Sequence, residues 1–158
     1  LSTGEILRGE IRKNTKVGKI AKSYIDRGNL VPDDSILEII SKQISANIPN
    51  EGYLFDGFPR TIPQAVGFDT LLTEIGHNLN VAINLTADEN ELIKRILERG
   101  KISGRSDEAL DIVKKRQKIY WKQTAPLVKY YQNKNILKNI DGIGGIQEIT
   151  KRILKAIY

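Results

Sequence analysis

The residues of this sequence best suited to chemistry begin with an aspartate and an arginine four positions apart, in the stretch GYLFDGFPRT. Asp56 ends an apolar run, where carboxylates commonly hold Mg²⁺, often through water. The guanidinium group of Arg60 suits phosphate oxygens. Gly57 and Pro59 let the backbone turn sharply beside a ligand. An aspartate in this place is equally typical of a cap or turn, so both interpretations stay open.

Other arginines have the same potential. Arg95 and Arg99 are spaced i,i+4 on one predicted helix, and such a like-charge pair costs an isolated helix about 0.2–0.5 kcal/mol. A bound polyanion would reverse the sign of that interaction, because guanidinium groups bind phosphate bidentately. Arg105 lies in a glycine-containing loop, and Arg116 follows further along the chain. The alternative is that each is a solvated surface charge.

Several kinds of site are excluded. The sequence contains no cysteine, which rules out disulfides and thiolate metal sites. No metal-ligand cluster, Ser/His/Asp arrangement or G-x-x-x-x-G-K-[ST] loop is evident. The only histidine, His77, lies in a polar connection and is predicted to be a surface residue. The glycines of DGIGG by themselves predict a turn.

Composition indicates one globular domain. The 158 residues are 40% apolar and 28% charged, which is ordinary for a single domain with its own core. The net charge of +6 makes an anionic partner plausible, either nucleic acid or a phosphorylated small molecule. No apolar run reaches the roughly 20 residues that span a bilayer, and no leader is evident, so a cytoplasmic location is expected. Methionine is absent, even at position 1, so we expect the chain to lack its N-terminal part.

Helices and strands are predicted to alternate. Apolar periodicity predicts helices over 3–13, 16–28, 33–44, 63–75, 88–100, 108–131 (with a break at 124–126) and 146–157. Short apolar runs predict strands over 53–55, 79–87 and 136–140. Ser2 and Glu5 match a capping box, Thr15 is expected to cap the second helix, and Gly100 is expected to close the fifth. This alternation is typical of a parallel α/β sheet covered on both faces. Three strands are fewer than the usual five to six, in line with a missing N-terminal piece.

Five segments share their order and spacing with one enzyme family. These are LSTGEILR, GNLVPDD, DGFPRT, RILERGKISGRSDE and KKRQKIYWKQTAPLVKYY. Together they resemble the adenylate kinases, of the type with a short lid, over essentially the whole chain. The resemblance implies a P-loop kinase fold, an α/β parallel sheet with helices on both faces, lacking its first strand and phosphate loop. It also implies one domain, 1–158, with an AMP-binding segment (1–31), a core (52–98 and 107–158) and a short lid (99–106).

The resemblance also implies a reaction and its residues. The reaction is reversible phosphoryl transfer with Mg²⁺, ATP and AMP giving two ADP. The implied AMP-binding residues are Thr3, Arg8, Asn29, Leu30, Val31, Gly57, Phe58, Pro59, Arg60, Gln64, Arg105 and Arg116. The implied ATP-binding residues are Arg95, Arg99 and Gly144, with Asp56 holding Mg²⁺ through water. The implied catalytic residues are Arg60, Arg99, Arg105 and Arg116. A monomer is expected, and so is near-zero activity for a polypeptide that truly starts at Leu1, without the phosphate loop.

Three alternatives remain at this stage. A UMP/CMP kinase would use the same scaffold, although Thr3 and Thr61 resemble the adenylate type more closely. A degenerate nucleotide-binding module without catalysis is the second. A basic nucleic-acid-binding domain is the third, but it would need clustered lysines and arginines with exposed aromatic side chains, whereas the lysines here are scattered. We therefore expect no nucleic acid and no membrane as partners.

Overall fold

The computed structural model describes residues 1–46, 52–103, 107 and 109–158. The helices in these ranges are α1 (Thr3–Arg12), α2 (Lys16–Ile25), α3 (Asp33–Ala46), α4 (Ile62–Glu74), α5 (Glu89–Ser103), α6 (Leu110–Ile119), α7 (Pro126–Asn133) and α8 (Ile146–Ile157). The strands are β1 (Ala82–Thr86) and β2 (Leu137–Asp141), and a π-helical turn, Tyr120–Thr124, joins α6 to α7. None of the helices in the described ranges is both long and apolar enough to cross a bilayer.

The two strands pair in parallel, as predicted. Their register runs from Ala82 opposite Leu137 to Thr86 opposite Asp141. The chain between them forms α5, α6, the π turn and α7, the long helical crossover that a parallel pair requires. Helix-rich chain around a small parallel sheet agrees with the predicted α/β class.

The predicted strand 53–55 is wrong. The structure has a single parallel bridge nearby, between Ser2 and Asp56. The Asp56 N–H donates to the carbonyl of Leu1 at 2.8 Å, and the Thr3 N–H donates to the carbonyl of Asp56 at 3.2 Å. The ladder stops there because the chain enters α1 at Thr3, so its backbone turns away from the extended segment. The result still places the start of α1 directly beside Asp56.

Three helix ends differ from expectation or refine it. The Ser2 hydroxyl donates to Asp56 Oδ2 at 3.0 Å and makes no cap bond to α1, so the predicted capping box is wrong. The predicted end at Gly100 is also wrong, since α5 runs through it to Ser103; a helix interior tolerates glycine at a cost of about 1 kcal/mol. The predicted cap Thr15 is confirmed, because its Oγ1 accepts from the Gly18 N–H at 3.0 Å.

Two hydrophobic clusters hold the described chain together. The larger joins α1 to α4 and is formed by Leu7, Ala21, Val31, Ile36, Ile40, Ile44, Phe58, Phe68 and Leu72. Phe68 lies at its centre and packs edge-on against Phe55 and Phe58, with ring centroids 4.8 and 5.0 Å away. The smaller consists of Ala65, Leu127 and Tyr131, and it lies between α4 and α7. Helix α4 therefore connects the two clusters.

Candidate active site

One cavity contains most of the predicted phosphate-binding arginines. It has a volume of about 160 Å³ and lies where the start of α1 faces the turn after Asp56. The described residues that line it are Ser2, Gly4, Arg8, Asp56, Gly57, Arg60, Arg99 and Arg116. Four guanidinium groups and one carboxylate give this wall a strong positive charge, which favours phosphate as a ligand.

Arg60 is positioned by the glycine three residues before it. Gly57 has a φ of 70°, in the left-handed region that favours glycine. A Cβ atom at Gly57 would lie 2.9 Å from Arg60 Nη2. Without it, the side chain folds back and Arg60 Nε donates to the Gly57 carbonyl at 2.8 Å. Because Gly57 has no side chain, the guanidinium group of Arg60 has room to lie over the turn that joins the two residues.

Arg8 reaches the same cavity from the first helix. Its guanidinium nitrogens would lie 3.2 Å from a Cβ atom at Gly4, one turn earlier. Arg8 also forms an ion pair with Glu5, whose side chain is exposed. Exposed ion pairs contribute little to stability, so a phosphate could compete for Arg8 at small cost.

Arg116 enters the cavity from α6, and it is held by a buried carboxylate. Arg116 Nη1 donates to Asp107 Oδ2 at 2.7 Å and to the Asp107 carbonyl at 3.1 Å. The end of α2 packs closely on this helix: a Cβ atom at Gly28 would lie 2.9 Å from Ile112 Cγ2 and 3.3 Å from Arg116 Cγ. Gly28 has a φ of 68°, in the left-handed region that favours glycine. Arg99 reaches the same cavity from the last turns of α5.

The residues predicted to surround the AMP base come from the start of α1, the connection between α2 and α3, and the turn that begins at Gly57. The Thr3 hydroxyl donates to the Gly57 carbonyl at 2.9 Å, and Thr3 is buried. Asn29, Leu30 and Val31 form the connection between α2 and α3, and of these Val31 is buried. Phe58 is buried and Pro59 is half-buried, and the peptide bond between them is cis. Gln64 is buried in the first turn of α4.

Two of the residues predicted to bind ATP, Arg95 and Gly144, lie at the turn that follows β2, whereas the third, Arg99, lines the arginine cavity. Arg95 Nη1 donates to the Gly142 carbonyl at 3.0 Å, and its Nε pairs with Glu91 at 2.6 Å. Gly144 has a φ of 122°, and a Cβ atom there would lie 2.6 Å from Glu148 Oε2. The carboxylate of Glu148 in turn accepts from the Gly145 N–H at 2.8 Å. Arg95 and Gly144 thus share the DGIGG turn.

Comparison with known proteins identifies the family. The family described as "Adenylate kinase" matches residues 1–136. The adenylate kinase of Parabacteroides distasonis is 48% identical over 157 residues, which are 99% of this chain and 83% of the relative. The adenylate kinase of Porphyromonas gingivalis is 48% identical over 153 residues, 97% of this chain and 79% of the relative. The adenylate kinase of Flavobacterium psychrophilum is 43% identical over 158 residues, which are 99% of this chain and 83% of the relative. The chain belongs to the adenylate kinase family.

Membership of the adenylate kinase family confirms the predicted family and enzyme class, ATP:AMP phosphotransferase. The relatives do not favour the UMP/CMP kinase or the non-catalytic module. The individual site residues remain predictions. The structure brings Arg8, Arg60, Arg99 and Arg116 together with Asp56 and Gly57. Arg105 lies outside the described residues.

The sequence did not indicate three residues that the structure places around the arginines. Asp33 lies in the first turn of α3, and its carboxylate accepts from the side chains of Thr61 and Gln64. Thr124 lies where the sequence predicts a helix break, and its hydroxyl donates to the Arg60 carbonyl at 2.8 Å. Asp107 is 8% exposed and is paired with Arg116. Each of these contacts joins residues that are far apart in sequence or that lie in a connection between helices. The spacing of residues alone does not indicate such contacts.

A larger cavity lies on another face. It measures about 310 Å³ and is lined by Asp69, Leu72, Thr73, His77, Asn78, Leu79, Lys134 and Ile136. Its ammonium and carboxylate groups, Lys134 and Asp69, pair with each other. His77 is exposed at its rim, as the sequence predicted. The lining of this cavity carries one ammonium group and one carboxylate, so it lacks the excess of positive charge that lines the arginine cavity.

Proposed function

We propose that this chain provides the AMP site and the phosphate-binding arginines of an enzyme that converts ATP and AMP into two ADP. The supporting observation is the convergence of four arginines from α1, the turn after Asp56, α5 and α6 on one small cavity. Separate parts of the chain supply them, so the cluster exists only in the folded protein. Solvated surface arginines would have no reason to converge in this way.

The proposed reaction moves one phosphoryl group. The bond between the γ-phosphorus of ATP and its bridging oxygen breaks, and a phosphate oxygen of AMP forms the new bond to that phosphorus. Phosphoryl transfer leaves little covalent work to the protein, so positioning and charge neutralisation dominate catalysis. Arg60 and Arg8 would hold the AMP phosphate, and Arg99 and Arg116 would contact the transferring group. Arg105 is proposed to join them.

The base of AMP would lie between two walls of the site. We assign one wall to Thr3 and the backbone of Asn29, Leu30 and Val31, and the other to the turn Gly57–Pro59 with Gln64. The Thr3 hydroxyl already bonds the Gly57 carbonyl, which supports their placement at one ligand. On the ATP side, Arg95 and the Gly144 backbone would lie against the nucleotide.

The residues present fit a magnesium ion bound through water. Mg²⁺ in phosphoryl-transfer sites is usually held by one or two carboxylates, several waters and the substrate phosphates. Asp56 is exposed on the wall of the cavity, and Ser2 Oγ fixes its Oδ2 atom. When bound, the ion would neutralise charge on the phosphates of ATP. Asp56 would then orient its water shell, and Ser2 would hold Asp56.

Segments 1–31 and 99–106 are proposed to close over the substrates. Closure would exclude water, which otherwise competes as the phosphoryl acceptor. We further propose that the enzyme works as a monomer in the cytoplasm, where its nucleotide substrates are found.

The test is the rate of ADP formation by the full-length gene product with ATP, Mg²⁺ and a nucleoside monophosphate. Arg60→Met should lower kcat/KM for AMP by roughly 10³-fold, because positioned arginines are worth 10³ to 10⁵ in related phosphoryl transfers. Arg27→Met is the matched control: Arg27 is exposed at the end of α2, and it should behave like the wild type. The measurement is steady-state kinetics at saturating ATP.

Two results would contradict the proposal. Equal loss in the Arg27 and Arg60 variants would mean that arginine number, and not the cavity, determines activity. A preference of the wild type for CMP or UMP over AMP at equal concentration would reject AMP as the acceptor.

A further inference from the structure

The main chain of Arg60 is held on one side by a side chain of the following helix and on the other by a side chain far along the sequence. Its N–H donates to Gln64 Oε1 at 2.8 Å. Its carbonyl accepts from Thr124 Oγ1, also at 2.8 Å, across 64 positions of sequence. The guanidinium group is fixed separately, by the Gly57 carbonyl. These bonds attach the backbone of one arginine to α4 on one side and to the π-helical turn on the other.

The π turn directs the Thr124 hydroxyl toward Arg60. The Ala125 N–H donates to the Tyr120 carbonyl at 2.9 Å, the i to i+5 bond of a π-helix, and α7 begins at Pro126. A threonine in a regular helix often bonds its own helix carbonyl three or four residues earlier. Thr70 and Thr73 do this in α4, where they donate to Val66 and Asp69. Thr124 instead uses its hydroxyl on another part of the chain, and π turns often occur at functional sites.

Asp33 determines which way the Gln64 amide faces. Gln64 Nε2 donates to Asp33 Oδ1 at 2.8 Å, and the same oxygen accepts from the Thr61 hydroxyl at 2.9 Å. An ionised carboxylate can only accept, so the amide nitrogen must face Asp33. The amide oxygen then faces the Arg60 N–H. Since Gln64 is 2% exposed, water cannot easily replace either bond.

We propose that Thr124 and Asp33 are positioning residues for Arg60 in the AMP site. Thr124 acts directly on the Arg60 carbonyl, and Asp33 acts through the Gln64 amide. Neither needs to contact a nucleotide. Because functional side chains must be held within about 0.5 Å of their productive position, losing either support weakens the AMP contact of Arg60. The proposal rests on the proposed function, since it concerns the AMP phosphate contact of that same arginine.

The first experiment compares Thr124→Val, which removes only the donor, with Thr124→Ser, which keeps it. Kinetics of the full-length enzyme should show kcat/KM for AMP lower by roughly 3- to 10-fold in Thr124→Val, the range of one lost hydrogen bond. KM for ATP should stay within about twofold of the wild-type value. Thr124→Ser should restore the wild-type values. Thr70→Val is the control, because it removes a hydroxyl bonded only within its own helix.

The second experiment asks whether Thr124 acts through Arg60. Equilibrium titration with AMP is measured for Thr124→Val, Arg60→Met and the double variant. If the hydroxyl works by positioning Arg60, Thr124→Val weakens AMP binding in the wild-type background and has no further effect beside Arg60→Met. A purely structural role would weaken binding equally in both backgrounds. For Asp33, the Ala variant should lose AMP affinity, and the Asn variant, which keeps an acceptor oxygen, should recover most of it.

The outcomes separate the proposal from the function on which it rests. A wild type that forms no ADP from AMP would refute the proposed function. Normal wild-type turnover with Thr124→Val kinetics like those of Thr70→Val would refute the positioning role alone. So would equal losses in the Val and Ser variants, or additive effects of Thr124→Val and Arg60→Met. If Thr124→Val lowers the melting temperature, the Asp33 pair and the Ser variant still decide the result.

Discussion

The region of α1 to α4, which contains the larger hydrophobic cluster, and the region of β1, β2, α5 and α8 differ in how completely they are packed. In the cluster of α1 to α4, Ala21, Ile40 and Phe68 are at most 1% exposed. On the side of β1, β2, α5 and α8, neither α5 nor α8 has a buried residue within the described chain, and Leu85 of β1 is 51% exposed. Within the described ranges, the buried side-chain atoms without a partner are Gln117 Nε2 on α6 and Tyr131 Oη on α7. Both lie outside the larger cluster.

This difference bears on how the site is built. Arg8 and Arg60 belong to elements that pack into the larger cluster, since Leu7 and Phe58 are among its buried members. Arg99 lies on α5, which contributes no buried side chain in the described chain. The AMP side of the cavity is thus on the well-packed part of the described chain, whereas Arg99 is on a helix that buries no side chain within it.

The largest expected effect tests that contrast directly. Phe68→Ala should lower the free energy of unfolding by about 3–5 kcal/mol, because it empties the centre of an aromatic cluster. Leu85→Ala, at a half-exposed strand position, should cost less than about 1 kcal/mol. Urea unfolding of both variants measures the difference. A cost at Leu85 similar to that at Phe68 would mean that residues outside the described chain bury this face of β1.

A smaller effect concerns the contact between α1 and α2 in the packed half. A Cβ atom at Gly18 would lie 2.1 Å from the Glu10 carbonyl oxygen, so Gly18→Ala must push the two helices apart. We expect a loss of roughly 1–3 kcal/mol, the usual cost of overpacking.

Gly9→Ala is the matched control in the preceding helix. A Cβ atom there would have only Arg12 Nη2 near it, at 3.9 Å, and alanine favours helix by about 0.8–1.0 kcal/mol over glycine. Thermal unfolding should therefore rank the proteins Gly9→Ala, wild type, Gly18→Ala. Equal stability of the two variants would show that α1 and α2 do not pack as closely as described.

The sequence predicted the elements better than the contacts between them. Apolar periodicity located α1, α4 and α8 to within about two residues, although α8 buries none of its apolar side chains within the described chain. It failed at Gly100, because a single glycine costs a helix interior only about 1 kcal/mol and need not end it. It also failed at 53–55, because strand pairing depends on the partner and not on the strand's own residues.

The same limit applies to the candidate site. Arg60 and Gly57 could be identified because motif residues of the family occur within one short segment. Asp33 and Thr124 could not, since their partners Gln64 and Arg60 are 31 and 64 positions away. A side chain that acts through a tertiary hydrogen bond shows no pattern in the spacing of one sequence.

The smallest expected effect lies in the second cluster and compares two adjacent tyrosines. The Tyr130 hydroxyl bonds the Asp69 carboxylate, which also pairs with Lys134, whereas the Tyr131 hydroxyl is buried without a partner. Tyr131→Phe removes an unsatisfied buried group and should change the free energy of unfolding at pH 7 by less than about 1 kcal/mol, toward higher stability. Tyr130→Phe breaks a hydrogen bond to a charged group and should lower the free energy of unfolding by no more than about 3 kcal/mol. The loss is smaller where water solvates the Tyr130–Asp69 pair.

The pH dependence sharpens this last comparison. Burial, with a smaller contribution from the Asp69 charge, raises the pKa of Tyr131 above its usual value of 10. The folded chain therefore keeps a proton that the unfolded chain releases above about pH 10. The stability tied to this proton is intact below that pH and is lost as the pH rises further. Tyr131→Phe should remove this loss, so its advantage over the wild type in urea unfolding should grow between about pH 9 and 11. A stability difference between Tyr131→Phe and the wild type that stays constant across that range would mean that the Tyr131 hydroxyl contacts water. The polar groups of the smaller cluster would then be as fully satisfied as those of the larger one.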